Sequence, residues 1–179
     1  MPDYITTYTG VHFTPTEPKA EDIRIEDIAH ALSMICRGNG HVKTFYSVGE
    51  HCINCAAEAE ARGYSKRVVL ACLLHDAGES YLSDVPSPFK KHLKDYIQME
   101  DRILSLIYQK FLHSDLAEEE ASKVLEIDKD LLKYDLFYLL GEGEEEALPK
   151  LKKPYQYGEL SFHETERRYL EIFSGYTIK

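Results

Sequence analysis

The sequence predicts an all-α fold, a single helical domain carrying a small N-terminal β-hairpin. Three observations lead there. Apolar residues recur at helical spacing through most of the chain, helix-capping and helix-stopping residues divide it, and β-forming residues cluster only near the start. Residues 4–14 are rich in Tyr, Thr, Val and Phe around Thr9-Gly10, which predicts the hairpin. Pro15 and Pro18 lead into a first helix over 26–37, where Ile28, Leu32 and Ile35 recur at i, i+4, i+7 and Gly38-Asn39-Gly40 ends the run. Ser47-Val48-Gly49-Glu50 has the form of a capping box, so a second helix starts there and runs to Gly63. A third is expected over 65–78, and Pro86 and Pro88 then force a loop. Tyr96, Met99, Ile103, Leu106 and Ile107 give a helix over 95–112. Asp115-Leu116-Ala117-Glu118 can cap a long one reaching Leu140. Gly141 to Glu146 reads as a solvated break, and 159–173 as the last amphipathic helix. No repeat or interdomain linker interrupts residues 1–179.

Composition narrows the partners. A chain of 179 residues can bury one proper core. The formal net charge of −10 argues against a nucleic-acid polymer, whose binding needs clustered Lys and Arg, but leaves room for a small nucleotide. No apolar stretch approaches the ~20 residues of a membrane span, and the start has no signal-peptide pattern. A cytoplasmic location without membrane partners is therefore expected. Cys36, Cys52, Cys55 and Cys72 all fall in apolar helical patterns. Cys52 and Cys55 formally spell C-x-x-C, but there is no second pair for zinc and no preceding strand for a redox motif, so buried small hydrophobes is the better reading.

The residues that carry chemistry start at His75-Asp76, which directly follows the apolar run Val68–Leu74. Burying an imidazole and a carboxylate costs several kcal/mol (roughly 2–7 per unpaired group) without a partner, and a divalent cation is one such partner. Glu79, four residues after His75, shares its face if the helix continues. Asp128 and Asp135 fall within the apolar stripe Val124, Leu125, Leu131, Leu132 and Leu139, an unusual place for carboxylates, whereas Asp130 points away and is read as solvated. His51 alone reads better as an interior histidine bonded to a backbone carbonyl, and Glu50 as a capping residue rather than a catalyst. His30, His41, His92, His113 and His163 fit no ligand spacing.

The ordered set His51 … His75-Asp76 … Asp128 resembles the HD-domain metal-dependent phosphohydrolases. Phe45-Tyr46-Ser47-Val48-Gly49-Glu50-His51 and Leu73-Leu74-His75-Asp76-Ala77-Gly78-Glu79 are similar to the branch holding the YfbR-type 5′-deoxynucleotidases and related phage dNTP phosphohydrolases, over a core of about residues 25–140. The resemblance implies an HD-type helical bundle with His51, His75, Asp76 and Asp128 as metal ligands; Asp135, by its place on the apolar stripe, is read as orienting a ligand or a helix. This N/O set suits Mn²⁺, Co²⁺, Fe²⁺, Zn²⁺ or Mg²⁺.

It further implies that Glu79 handles the attacking water, where the residue alone reads as a helix-end carboxylate. Asp84 would contact the sugar hydroxyl, against a plain capping role. Arg37 would clamp the phosphate, against compensating a helix dipole. Lys90 is a second phosphate candidate, with Lys91 equally placed. Relatives commonly have Trp or Phe after that Arg; here Gly38 follows, so the pocket is more open or Phe45 or Tyr46 fills it. The expected activity is hydrolysis of (deoxy)nucleotide phosphate esters, 5′-nucleotidase-like. The alternatives are a dNTP triphosphohydrolase and a non-catalytic nucleotide- or metal-binding domain. A homo-oligomer is implied as well.

Overall fold

The computed structural model describes residues 3–155, 157–158 and 160–177, and it is mostly helical with one two-stranded antiparallel sheet. Strands β1 (Ile5–Thr6) and β2 (His12–Phe13) pair in the register Ile5↔Phe13 and Thr6↔His12. Buried Asp27 fixes this hairpin to helix α1 (Ile25–Met34), accepting from the Thr9 backbone N–H at 2.6 Å and the Thr9 hydroxyl at 2.9 Å. Phe13 is fully buried and stacks on Tyr81.

Helix α1 ends three residues earlier than its periodicity suggests. Ile35 and Cys36 are extended because their backbone pairs with the strand-like entry to the next helix: Val48 N–H donates to Ile35 C=O at 3.0 Å and Arg37 N–H to Tyr46 C=O at 2.9 Å. Arg37 therefore opens a tight turn instead of closing a helix. Helix α2 (Val48–Ala61) starts where the capping box places it, with the Glu50 carboxylate and Ser47 hydroxyl exchanging bonds with each other's backbone N–H at 3.1 Å. At Gly49 a Cβ would lie 3.0 Å from Thr165 Cγ2 and 3.2 Å from the Leu32 backbone, so glycine lets α2 approach α1 and the C-terminal helix closely.

Helix α3 (Lys66–Leu74) is buried on almost every side and packs against α2. It stops at Leu74; a tight turn over 75–78 leads to the short α4 (Glu79–Leu82), with Ala77 N–H reaching back only three residues to Leu74 C=O. The expected proline loop is helical in part: Pro86 precedes and Pro88 lies within the first turn of the short α5 (Ser87–Lys90), where a missing N–H leaves no helical bond unmade, and α6 (Lys94–Leu112) follows. Helix α7 (Glu118–Asp135) starts after Ala117, whose N–H is accepted by Glu120; Asp115 instead accepts from Ser105 and Gln109. It widens into a π-type turn over Leu136–Leu140 before the exposed acidic break. The last helix, α8 (Phe162–Tyr176), crosses α1, α2 and α3, and its expected start at 159 lies outside the described residues. Buried Tyr169 on α8 donates to Leu73 C=O at 2.7 Å, anchoring the end of α3 from behind. Among the described residues no helix is long and apolar enough to cross a membrane.

The stripe on α7 departs from expectation in part. Val124, Ile127, Leu131 and Leu139 are buried, but Leu125 is 50% exposed and Leu132 38%. Asp130 is not solvated either. It pairs with Arg62 at 2.8 Å, and Arg62 also holds Glu58 and Glu126.

Candidate metal centre

Helices α2 and α7 and the turn after α3 converge on one point. The capping box sets the register of α2 so that His51, in its first turn, is fully buried. The tight turn after Leu74 presents His75 and Asp76 together, and α7 brings in Asp128. His51 Nε2 lies 3.1 Å from Asp128 Oδ1, and the two imidazole centroids are 5.3 Å apart. His75 Nε2 lies 3.3 Å from Asp76 Oδ2 and 3.6 Å from Asp128 Oδ1. All four residues singled out as ligands thus meet, carried by three separate segments.

The hydrogen bonding of His75 tests whether a cation fits. Its Nδ1 is 2.8 Å from the Cys72 carbonyl, which can only accept, so Nδ1 carries the proton. In the neutral ring Nε2 is then a bare lone pair, buried without a hydrogen-bond partner and facing two carboxylates. Acceptors crowded against an acceptor need a positive centre among them, and two imidazoles with two aspartates supply a donor set suited to a divalent metal. Without a cation the site draws in protons. Burial pulls the His75 pKa down, but Asp76, Cys52 and Asp128 carry it well above 6.5. Burial and Arg37 act likewise on His51 and are overcome by Cys55, Asp135 and Asp128. Burial raises the Asp76 carboxyl, yet His75, Arg37 and His51 hold it well below the usual carboxylate range.

A polar layer supports these groups. His51 Nδ1 is 3.0 Å from Asp135 Oδ2, an ion-pair distance but out of line for a hydrogen bond. Arg37 bridges Asp76 and Asp135, at 3.3 Å to each. Asp135 also accepts from the Tyr155 hydroxyl, which meets the Tyr46 hydroxyl, itself held by Asn54 at 2.8 Å. Asp135 therefore stands where it can orient His51 and Arg37 together.

Glu79 is buried at the edge of the cluster, with Lys90 Nζ 3.5 Å from its Oε1 and no hydrogen-bond partner for its Oε2. Burial, reinforced by Asp76 and Asp84 and opposed by Lys90 and Arg37, pushes its carboxyl up to about 9. Asp84 is half-buried in the loop after α4, close enough to act on both Glu79 and Arg37, and α5 starts without a side-chain cap. Lys90 is committed more firmly than expected, donating to Glu100 at 2.8 Å. Of the phosphate-binding candidates Arg37 and Lys90 are engaged, while Lys91 is exposed. Arg37 and Lys90 each sit between two carboxylates.

His75 lines two adjoining hollows. One, of about 110 Å³, is bounded by Asp76, Glu79, Lys90, Glu100 and Asp101. The other, of about 390 Å³, has Leu104, Tyr108, Leu116 and Val124 as apolar walls, with Asp101, Asp115 and Asp128 at its polar edge. Gly38 has φ +59°, a left-handed conformation in which a bulky ring would be strained. Tyr46 is fully buried behind Arg37, whereas Phe45 is 44% exposed.

Sequence reasoning did not place three residues beside the cluster. Cys52 and Cys55 are buried as expected, and ligand atoms of His51, Cys55 and His75 lie within 4.8 Å of one another, as do those of Cys52, His75 and Asp76. The signal was available, since Cys55 follows His51 by four residues and so shares its helix face. Tyr155 was the other omission, and nothing local in its sequence marks it.

Two curated relatives have matching segments. One is the uncharacterized protein YfdR of Escherichia coli (strain K12), 39% identical over 108 residues that cover 60% of this chain and 58% of the relative. The other is the uncharacterized protein RCAP_rcc00048 of Rhodobacter capsulatus, 40% identical over 101 residues, 53% of this chain and 51% of the relative. The matches thus span a little over half the length of these relatives. No family model matches the chain.

Proposed function

We propose that this protein is a metal-dependent phosphohydrolase of the HD class that cleaves (deoxy)nucleotide phosphate esters in the manner of a 5′-nucleotidase. The observation that carries the reading is the buried, unpartnered His75 Nε2 facing Asp76 and Asp128, with His51 beside Asp128 and buried Glu79 adjoining. His51, His75, Asp76 and Asp128 would hold the ion. A divalent ion there supplies Lewis acidity, lowering the pKa of a bound water and neutralising charge on phosphoryl oxygens.

The chain's own groups do the rest. Glu79, buried beside the cluster, holds its own proton near neutral pH while no ion is bound and would be freed to take and return the proton of the attacking water once a cation lowers its carboxyl. Arg37 exchanges a carboxylate for a phosphate oxygen when substrate enters, and its planar fork suits that contact. Asp84 offers an acceptor to a sugar hydroxyl. Lys90, between Glu79 and Glu100, steadies the base as much as it meets phosphate. With Arg37 and Lys90 so engaged and only exposed Lys91 beside them, the cluster favours the single phosphate of a monophosphate. The 390 Å³ hollow beside His75 gives the organic part of the substrate apolar walls.

The test is phosphate release from a panel of ribo- and deoxynucleotides with added Mn²⁺ or Co²⁺, with and without EDTA. Metal-dependent release of phosphate from monophosphates is the expected result. Release of triphosphate from dNTPs would make it a triphosphohydrolase, and binding without turnover would leave a non-catalytic nucleotide-binding domain. A cytoplasmic homo-oligomer is part of the same reading, and light scattering tests the assembly.

A further inference from the structure

We propose that Cys55 is a metal ligand, giving this centre a thiolate at its buried pole and a preference for Zn²⁺, Fe²⁺ or Co²⁺ over Mg²⁺. The inference deepens the metal-dependent reading above and rests on it. Cys55 is 1% exposed and its Sγ lies 3.5 Å from His51 Nε2. Neighbouring atoms bound to one five-coordinate ion at about 2.0–2.3 Å stand roughly 2.8–4.0 Å apart. The 3.5 Å between Cys55 and His51 falls in that range, as do the 3.6 Å from His75 Nε2 to Asp128 Oδ1 and the 3.1 Å from His51 Nε2 to Asp128 Oδ1. A ligand atom of His75 lies within 4.8 Å of those of both His51 and Cys55, and the unpartnered Nε2 of His75 is independent evidence that something positive belongs there.

The burial gradient assigns the roles. Cys55 and His51 close the interior side, whereas the Asp128 side chain is 30% exposed, so solvent and substrate approach from the aspartate side. On binding, the thiol proton leaves to solvent and the sulfur lone pair forms the bond to the ion, which makes uptake proton-releasing. Thiolate is a soft donor and shifts selectivity away from Mg²⁺ and Mn²⁺. Cys52 lies with His75 and Asp76 on the neighbouring side and serves as the internal control.

The experiment is titration of EDTA-treated full-length protein with Co²⁺, followed by calorimetry and near-ultraviolet absorption. A sulfur-to-cobalt charge-transfer band that saturates with binding is expected, lost in Cys55→Ser and kept in Cys52→Ser. Cobalt binding without the band, or a band that survives in Cys55→Ser, overturns the proposal while leaving the metal-dependent reading intact. Absence of any cobalt binding overturns both. Should Cys55→Ser fail to fold, X-ray absorption on the zinc-loaded natural chain decides: a sulfur scatterer at about 2.3 Å supports the assignment, and nitrogen and oxygen scatterers alone overturn it.

Discussion

His75 Nε2 lies 3.3 Å from Asp76 Oδ2, an acceptor facing an acceptor, with the ring's proton committed to the Cys72 carbonyl on its other side. Asp76→Ala removes one of the charges that make a cation necessary there. The substitution is expected to abolish both metal content and turnover, measured by elemental analysis and phosphate release on the same sample. A variant that keeps its metal would place the ion elsewhere.

Glu79→Gln separates binding from chemistry. The amide keeps the shape but cannot take a proton, so metal content is expected to stay at the natural level while kcat falls by about 10²–10⁴. Unchanged turnover would remove Glu79 from the mechanism.

Asp135→Asn probes the layer behind His51. Its carboxylate faces His51 Nδ1 and Arg37 at once, and losing that charge is expected to weaken metal affinity by roughly 10–100-fold without abolishing it. Competition with a chromophoric chelator measures the change.

The pH dependence follows from groups that hold protons when no ion is bound. The two imidazoles titrate well above 6.5 and Glu79 at about 9. Each has a folded pKa above its unfolded value, so its contribution to metal-free stability is complete below the unfolded pKa and is lost as pH rises through the folded one. Asp76 and Asp128, held low, act in the opposite sense but only in more acidic solution. A metal must displace these protons, so its affinity grows with pH. The gap in Tm between metal-loaded and EDTA-treated protein is therefore expected to widen from about pH 5.5 to about pH 8.5. A gap that narrows would contradict the protonation scheme.

Tyr169→Phe tests the scaffold apart from the site. It leaves the buried Leu73 carbonyl without its donor, two residues before His75, at an expected cost of about 1–3 kcal/mol by denaturant unfolding. No loss at all would mean that the carbonyl finds another partner.

How legible this molecule was in its sequence depended on how local each cause is. The start of α2 was readable because Ser47 and Glu50 satisfy each other's backbone within one turn, and α6 because its periodicity is uninterrupted. The end of α1 was not, since the bonds that extend Ile35 and Cys36 come from Tyr46 and Val48, across a loop. The turn after Leu74 was hidden for a related reason: His75 and Asp76 are compatible with a continuing helix, and the site and the Tyr169 anchor lie far off in the chain. His75-Asp76 stood out as a polar pair ending an apolar run and Asp128 as a carboxylate in an apolar stripe, whereas His51 entered only through the family resemblance. That Arg37 and Lys90 arrive already paired could not be read, because Asp135 and Glu100 reach them from other helices.

The central claim is that the cluster around His75 holds a divalent cation. Calorimetric titration of EDTA-treated protein with Mn²⁺ and Zn²⁺, beside His75→Ala, tests it most directly. Saturable binding by the natural chain that disappears in the variant is the expected result. No saturable binding, or binding that His75→Ala leaves unchanged, would contradict it.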